Sequence, residues 1–133
     1  MAQTPNLSIT EVLASQSQKE VTINQAFVEL EAALTSAVVI AMTDADLTLT
    51  ATENGQAYGN LAFQFTGTLS ATRHILLPNT PKLYLVMNAT NPSIGESLVF
   101  KCATGSGSTV TVAQNGSVYT IVFCDGTNVV GIA

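Results

Sequence analysis

From Val38 onward, apolar and polar residues alternate along the chain, and this period of two constrains the fold more than any other feature. The alternating stretches are rich in β-branched and aromatic residues, as half-buried strands are. Turn residues separate them at fairly regular spacing, which is typical of a sandwich or small barrel. The stretches are LTLTAT (47–52), LAFQFTG (61–67), RHILLP (73–78), KLYLVMNAT (82–90), SLVFKCA (97–103), STVTVAQ (108–114), SVYTIVFC (117–124) and NVVGIA (128–133). We therefore expect a mainly β domain over residues 38–133, an antiparallel β-sandwich or small barrel.

Two of the turn signals predict specific connections. Asn115-Gly116 supplies the two positive-φ residues that a type I′ turn requires, so we expect a hairpin over residues 110–123. Asp125-Gly126 is expected to form the tight turn into the last strand.

A stretch near the start of the chain has a helical period instead. Thr22 and Gln25 have the spacing of a capping box, and apolar residues then recur every three or four positions. We expect an extended arm over residues 1–21 and an amphipathic helix over residues 22–37, both preceding the β domain. The apolar stripe of the helix consists of Ile23, Ala26, Phe27, Leu30, Ala33, Leu34 and Ala37.

This stripe has two interpretations. It can pack on the chain's own sheet, or it can join neighbouring chains in a bundle, although fewer than three heptads make an independent coiled coil marginal. In the second case the interface with other copies or partners is expected to use apolar residues of the arm and of the helix. These are Leu7, Ile9, Ile23, Phe27, Leu30 and Leu34.

The composition favours partner chains. The chain is 47% hydrophobic and only 10% charged, which is unusually apolar for a soluble monomer. Its longest unbroken apolar run, AVVIAM (37–42), is far shorter than the roughly 18 residues that a membrane-spanning helix needs. We therefore expect a homo-oligomer rather than insertion into a membrane.

Charge and cysteine content narrow the function further. The net charge is -5, and the four cations, Lys19, Arg73, Lys82 and Lys101, are scattered, so we expect no nucleic-acid partner. The first ten residues lack the basic and apolar regions of a signal peptide, which predicts folding in a reducing cytoplasm. Two cysteines, at positions 102 and 124, could pair if their strands face each other, but buried free thiols are favoured there.

Catalytic patterns are weak. His74 is the single histidine and has no sequence neighbour that would make it a general base. GSGS (105–108) has neither the order of a nucleophile elbow nor the lysine and spacing of a phosphate-binding loop. We expect no enzymatic activity.

Metal-ligating patterns are equally sparse. Asp44 and Asp46 could bind a hard cation together with Glu53 or Asp125, but their position favours a turn into the strand that starts at Leu47. Two cysteines and one histidine fall short of a tetrahedral zinc site. We expect no metal and no other cofactor.

Sugar binding would need exposed aromatic rings, because ring faces stack on pyranoses. Tyr58 is the aromatic residue that lies in a predicted loop, ENGQAYGN (53–60), and the strand aromatics are assigned to the core. Tyr58 is therefore the candidate contact to a host surface glycan or receptor.

The opening of the chain resembles that of a family of bacteriophage and prophage virion proteins of otherwise undefined function. In that family an Asn-Leu pair, a Gln-x-Gln-Lys-x-Val-Thr-x-Asn run and a Leu-rich helix follow in this order. The matching residues are Asn6, Leu7, Gln16, Gln18, Lys19, Val21, Thr22 and Asn24.

The segments 61–90 and 118–132 are similar to a β-domain of phage tail-fibre and tail-tip proteins. The shared features are a Phe-Thr-Gly-x-Leu turn, an Arg leading into a strand that ends in Pro, an Asn-Ala-Thr and a closing Cys-Asp-Gly-Thr-Asn. They correspond to Phe65, Thr66, Gly67, Leu69, Arg73, Pro78, Asn88, Ala89, Thr90, Cys124, Asp125, Gly126, Thr127 and Asn128.

These resemblances imply a structural virion protein of a tailed phage or phage-like particle, assembled in the host cytoplasm. We expect a tail-fibre, tail-tip or adaptor component that contacts other virion proteins, with a homotrimer as the favoured state. The family's opening prefaces a longer protein, so a chain with one β-domain is expected to be a freestanding adaptor or fibre subunit. A head-decoration or collar protein and a carbohydrate-binding module stay open as alternatives.

Overall fold

The computed structural model describes residues 19–49 and 59–132, without the side chains of Glu20 and Pro92. Within these ranges one helix precedes eleven strands, so the prediction of a mainly β fold with one helix is confirmed. Most of the predicted arm, residues 1–18, lies outside the described residues. The elements are α1 (Lys19–Thr35), β1 (Ala37–Ala41), β2 (Leu47–Thr48), β3 (Ala62–Thr66), β4 (Thr68–Leu69), β5 (Arg73–Leu77), β6 (Pro81–Asn88), β7 (Asn91–Pro92), β8 (Ser97–Cys102), β9 (Val110–Ala113), β10 (Thr120–Asp125) and β11 (Val129–Ile132).

The helix covers most of the predicted range, with different ends. Thr22 lies inside α1 and its side chain is buried, so the prediction that Thr22 caps the helix is wrong. Gln25 does not complete a capping box either, since its Nε2 donates to Glu29 Oε1 at 3.0 Å, one turn further along. Ala37, expected to end the helix, begins β1 instead.

The strands form two larger sheets and one small one. The five-stranded sheet has the order β1-β3-β6-β10-β11, the four-stranded sheet has the order β2-β5-β8-β9, and β4 pairs with β7. The chain passes from one sheet to the next and back, so that β6, β7 and β8 repeat the path of β3, β4 and β5 one turn later. The paired residues show this repeat, since Ala37 pairs with Ala62 and Ala62 with Leu85.

The direction of the strands corrects the prediction of antiparallel sheets. In the described part of the chain, five of the eight pairings are parallel, because equivalent strands of successive turns run in the same direction. The antiparallel pairings involve the last three strands, β9, β10 and β11. The sheets are mixed and do not close into a barrel, and the architecture is sandwich-like.

The predicted hairpin over residues 110–123 is wrong. The strand β9 pairs with β8 in the four-stranded sheet, while β10 pairs with β6 in the five-stranded sheet. Asn115 and Gly116 do not have the positive φ of a type I′ turn. The two strands bury Val112 and Val122 from opposite sheets, so core packing overrides the local turn preference.

The turn at Asp125-Gly126 forms as predicted. The strands β10 and β11 pair antiparallel on either side of it, and Gly126 has a φ of 98°. Asp125 Oδ1 accepts hydrogen bonds from the backbone N–H groups of Thr127 at 2.7 Å and Asn128 at 2.6 Å. The carboxylate therefore fixes the reversal of the chain.

The core lies between the two larger sheets. Its largest side chains are aromatic and come from both sheets. The ring centroids of Phe65 and Phe100 lie 5.6 Å apart in an edge-to-face contact across the sheets, and those of Phe63 and Tyr84 lie 5.7 Å apart. Aromatic pairs of this kind contribute about 0.5–1.5 kcal/mol beyond the area that they bury.

Lys82 is a buried cation on the inner side of β6. Its Nζ donates to the carbonyl oxygen of Asn60 at 2.9 Å and lies 4.9 Å from the ring centroid of Tyr84. Burial lowers the pKa of Lys82 from 10.5 to about 8, because the charged form loses its hydration. Between these two pH values the unfolded chain binds more protons than the folded chain, so Lys82 makes the protein more stable as the pH rises.

We predict that Lys82→Met removes this dependence. As the pH rises from 8 to 10.5, the wild type should gain up to about 3 kcal/mol of unfolding free energy that the variant does not gain, because each unit of pKa shift corresponds to about 1.36 kcal/mol. Urea unfolding at several pH values measures the difference in unfolding free energy between the variant and the wild type. The contributions of the other ionisable groups cancel in this difference. Leu83→Met, a neutral substitution next to Lys82, is the control and should follow the wild type. A Lys82→Met curve parallel to the wild-type curve would contradict the prediction.

Candidate functional site

Four large residues of the predicted apolar stripe of α1 face solvent, whereas Ala33 of the same stripe is buried. Ile23 and Leu30 are 41% exposed, and Phe27 and Leu34 are 63% exposed. They follow one another at spacings of four, three and four residues, which places them in one row along the helix. No strand of the described ranges packs along α1. The chain's own sheet therefore does not cover these four side chains, although Thr22 and Ala33 of the same helix are buried.

A single residue, Ser36, joins α1 to β1. Its N–H donates to the carbonyl oxygen of Ala32 at 2.9 Å, and its own carbonyl oxygen accepts from Leu61 N and Ala62 N, both at 3.1 Å. The last turn of the helix and the start of β3 thus share the backbone of one residue. These bonds fix the direction in which the helix leaves the sheet.

A second apolar surface covers the outer face of the five-stranded sheet, and we call it the outer sheet face. Its outward side chains form rows across the strands, since the residues of each row are paired in register. Leu83, Ile121, Val130 and Ile132 are 37–49% exposed, and Val39 is 64% exposed. The rows are Ala37-Ala62-Leu85-Ile121-Ile132, Leu83-Phe123-Val130 and Val39-Gln64-Met87.

The outer side of the four-stranded sheet is different. Its paired outward residues include Thr48, His74, Lys101 and Thr111, which interrupt the apolar ones. On the outer sheet face, by contrast, the charged residue among the described strands is Asp125, at the end of β10. The two sheets therefore differ in the composition of their outer sides, since the outer sheet face is nearly free of charge and the outer side of the four-stranded sheet is mixed.

A polar cluster forms where β1 leads towards β2. Asp44 Oδ1 lies 2.9 Å from Arg73 Nη2, and Asp44 also accepts from the backbone N–H of Ser70 at 3.0 Å and from its hydroxyl at 2.5 Å. Asp46 accepts from the backbone N–H of His74 at 2.8 Å. These bonds connect the segment between β1 and β2 to the segment between β4 and β5 and to the start of β5, which follow in the next repeat of the strand path. Both carboxylates lie in the chain reversal that the sequence predicts before Leu47.

The pKa of Asp44 is lowered from 3.8 to about 2, first by the two hydrogen bonds from Ser70 and then by Arg73. Its contribution to stability is complete above pH 3.8 and is lost as the pH falls to about 2. We predict that Asp44→Asn unfolds at lower urea concentration than the wild type at pH 7 and that the gap closes towards pH 2. Asparagine tolerates the left-handed φ of 57° at this position, so backbone strain does not confound the comparison. A gap that does not change with pH would contradict the prediction.

The two cysteines lie in the core, facing each other from opposite sheets. Their Sγ atoms are 3.4 Å apart and both thiols are free, so the prediction of buried free thiols is confirmed. Burial raises the pKa of Cys102 to about 11, with the bond to Cys124 adding to the effect. In the core both thiols pack as small apolar groups.

The predicted site residues fall into two groups. Ile23, Phe27, Leu30 and Leu34 are brought together in the exposed row on α1. Leu7, Ile9 and Tyr58 lie outside the described residues, as does Glu53, one of the candidate metal ligands. The other three candidate metal ligands accept hydrogen bonds within the chain. Asp44 bonds to Ser70 and Arg73, Asp46 bonds to His74, and Asp125 bonds within its own turn. Within the described ranges, no three His, Cys, Asp or Glu side chains are placed to hold a metal ion.

The outer sheet face was not predicted. Strand aromatics such as Phe123 are expected in the core, but Phe123 points outward and is partly exposed. A signal was present, since KLYLVM (82–87) and TIVF (120–123) carry apolar residues at consecutive positions. Strands that are apolar on both faces are typical of sheets covered on both sides.

Comparison with known proteins adds no further constraint on the site. A scan against family models, a search of curated proteins and a search of solved structures each found no match. In the ranges that the structure describes, no helix has the length and apolar character to cross a membrane. The candidate site therefore rests on α1, the joint at Ser36 and the outer sheet face.

Proposed function

We propose that this chain is a structural subunit of a tailed phage or phage-like particle, a tail-fibre, tail-tip or adaptor component that acts by assembling with copies of itself. The exposed row on α1 supports this proposal most directly. Four large apolar side chains stand 41–63% exposed on a helix that Ser36 joins directly to β1. A surface of this kind is stable in water when a partner covers it.

Covering the row has a substantial energetic effect. Apolar burial stabilises by roughly 25 cal/mol per Å², so each of these half-exposed side chains contributes on the order of 1 kcal/mol per subunit when it is buried. A closed ring of identical subunits repeats the contribution at every contact. The homotrimer is the favoured state of this proposal.

The place of the assembly on a phage particle comes from sequence resemblance. The run Gln16 to Asn24 and the closing segment Cys124 to Asn128 are similar to phage virion and tail-fibre sequences. The partners would then be other virion proteins, and the protein would be located in the virion. Several copies on one particle would turn weak contacts with a host glycan or receptor into firm attachment, with Tyr58 as the candidate contact.

Immunogold electron microscopy of particles tests this proposal. An epitope tag at the C-terminus of the chain would be introduced in the phage or prophage that encodes it, and induced particles would be purified on a density gradient. The proposal predicts gold at the tail. Gold confined to the head or neck would replace it with a decoration or collar protein. A tagged protein found outside the particles, with glycan affinity as a monomer, would replace it with a carbohydrate-binding module.

A further inference from the structure

We infer that the α1 row of one copy docks on the outer sheet face of a neighbouring copy, so that the partner of this surface is a second copy of the same chain. The inference rests on the self-assembly proposed above and names its contact. It joins two apolar surfaces of the described structure, the row Ile23-Phe27-Leu30-Leu34 and the rows around Leu85 and Ile121.

The two surfaces cannot meet within one chain. Ser36 alone separates α1 from β1, and one residue spans at most about 3.6 Å. A helix with its side chains is about 10 Å wide, so one residue is too short to carry it back over the sheet. Helices that pack on the sheet they precede are connected to it by about two to six residues. The hydrogen bonds from Leu61 N and Ala62 N to the Ser36 carbonyl oxygen further restrict the movement of this connection.

The arrangement of the two surfaces favours helix-on-sheet contact over the other pairings of identical chains. A bundle of α1 helices would cover the row and leave the outer sheet face exposed. Two outer sheet faces packed together would cover the sheets and leave the helix exposed. Docking the helix of each copy on the sheet of the next covers both surfaces with one repeated contact. Such a head-to-tail contact closes into a ring when its rotation permits, as a trimer requires.

The charges of the chain are compatible with this contact. The chain carries a net charge of -5, so two copies repel each other wherever their acidic groups approach. The four side chains of the row are uncharged, and the outward residues of the five-stranded sheet include Gln64 and Thr66 as polar members and Asp125, at the end of β10, as the charged one. The rows around Leu85 and Ile121, where the helix would dock, contain no charged residue.

Mixing two variants of the 133-residue chain tests the inference. The helix variant carries Phe27→Asp and keeps an intact sheet face, and the sheet variant carries Ile121→Asp and keeps an intact helix. Light scattering after size-exclusion chromatography gives the mass of each variant and of their equimolar mixture. We expect each variant alone to be a monomer and the mixture to contain a species of twice the monomer mass. That species has one intact joint, between the helix of one variant and the sheet of the other.

Three results would overturn the inference, and they separate it from the proposed function. If the wild type is a monomer, self-assembly fails and the inference fails with it. If Ile121→Asp keeps the wild-type mass, self-assembly stands but the outer sheet face is not the contact. If both variants are monomers and their mixture stays monomeric, the helix of one copy does not dock on the sheet of another.

Matched substitutions test whether an added carboxylate changes the mass wherever it is placed on the surface. Val28→Asp lies on the other side of α1, and Thr111→Asp lies on the mixed face of the four-stranded sheet, and both should keep the wild-type mass. Circular dichroism spectra would show that each variant is folded. If Ile121→Asp does not fold, Ile132→Asp on the edge strand β11, where the side chain is 49% exposed, takes its place.

Discussion

Replacing Phe65 with alanine is expected to lower the free energy of unfolding by about 3–5 kcal/mol, the range for truncation of a buried aromatic residue. Phe65 is fully buried on β3, and its ring meets Phe100 of the other sheet at 5.6 Å and Phe63 of its own strand at 6.4 Å. Because the ring bridges the two sheets, its removal leaves a cavity between them that neither sheet can fill alone.

Urea unfolding at a fixed protein concentration measures this loss, since the stability of an oligomer depends on concentration. Phe65→Leu keeps most of the volume and should be clearly less destabilising. Phe123→Ala removes an equal ring from the outer sheet face, where Phe123 is half-buried, and should cost less in the unassembled chain. A Phe65→Ala variant less than about 1 kcal/mol below the wild type would show that the sheets do not share one core.

The second large effect is expected at Gly67, where alanine should cost about 3 kcal/mol or more. Gly67 turns the chain from β3 into β4 with a φ of 110°, a conformation that L side chains rarely adopt. A Cβ atom at this position would lie 2.6 Å from the carbonyl oxygen of Met42, in the preceding turn of the coil. Backbone strain and overpacking each contribute about 1–3 kcal/mol, and the neighbour is backbone that cannot rotate away.

Gly105→Ala separates these two contributions. Gly105 has a φ of 90°, and a Cβ atom there would have nothing within 4 Å, so the variant carries the strain without the clash. Urea unfolding of both variants should place Gly67→Ala clearly below Gly105→Ala. Equal losses would show that the close approach of successive turns at Met42 does not constrain the fold.

The positions of the strands were largely predictable, whereas their partners were not. Alternation placed RHILLP and SLVFKCA within a residue or so of β5 and β8, because period two shows which residues face the core. It does not show whether a neighbour runs parallel. The segment between β3 and β6 contains β4 and β5, so turns that resemble hairpin turns in sequence lead instead to another sheet.

The repeat of the coil is hidden for a related reason. Successive turns align Phe65 with Asn88 and Leu69 with Pro92, so the position in the fold recurs while the residue type does not. Asn88 is buried, and its side chain is satisfied because Nδ2 donates to the carbonyl oxygen of Val112 at 2.9 Å. A polar residue satisfied by a neighbouring strand cannot be told from a surface residue by sequence alone.

The candidate site was half predictable. The helical period identified the row from Ile23 to Leu34, because the spacing of apolar residues fixes the face on which they lie. Whether the row meets the chain's own sheet depends on the connection at Ser36, since the helix was expected to run through Ala37 into the β domain. The outer sheet face depends on which strands are neighbours, and that is set by the parallel pairing of β3 with β6.

The absolute mass of the 133-residue chain in solution shows whether the α1 row joins copies of the chain. Light scattering behind a sizing column would compare the wild type with the double variant Phe27→Asp/Leu30→Asp and with Val21→Asp/Val28→Asp, matched acidic changes on the other side of α1. If the α1 row joins copies of the chain, the wild type and the matched control are oligomers of the 13.8 kDa chain, with a trimer favoured, and Phe27→Asp/Leu30→Asp is a monomer. A monomeric wild type, or a Phe27→Asp/Leu30→Asp variant that keeps the wild-type mass, would contradict this role of the α1 row.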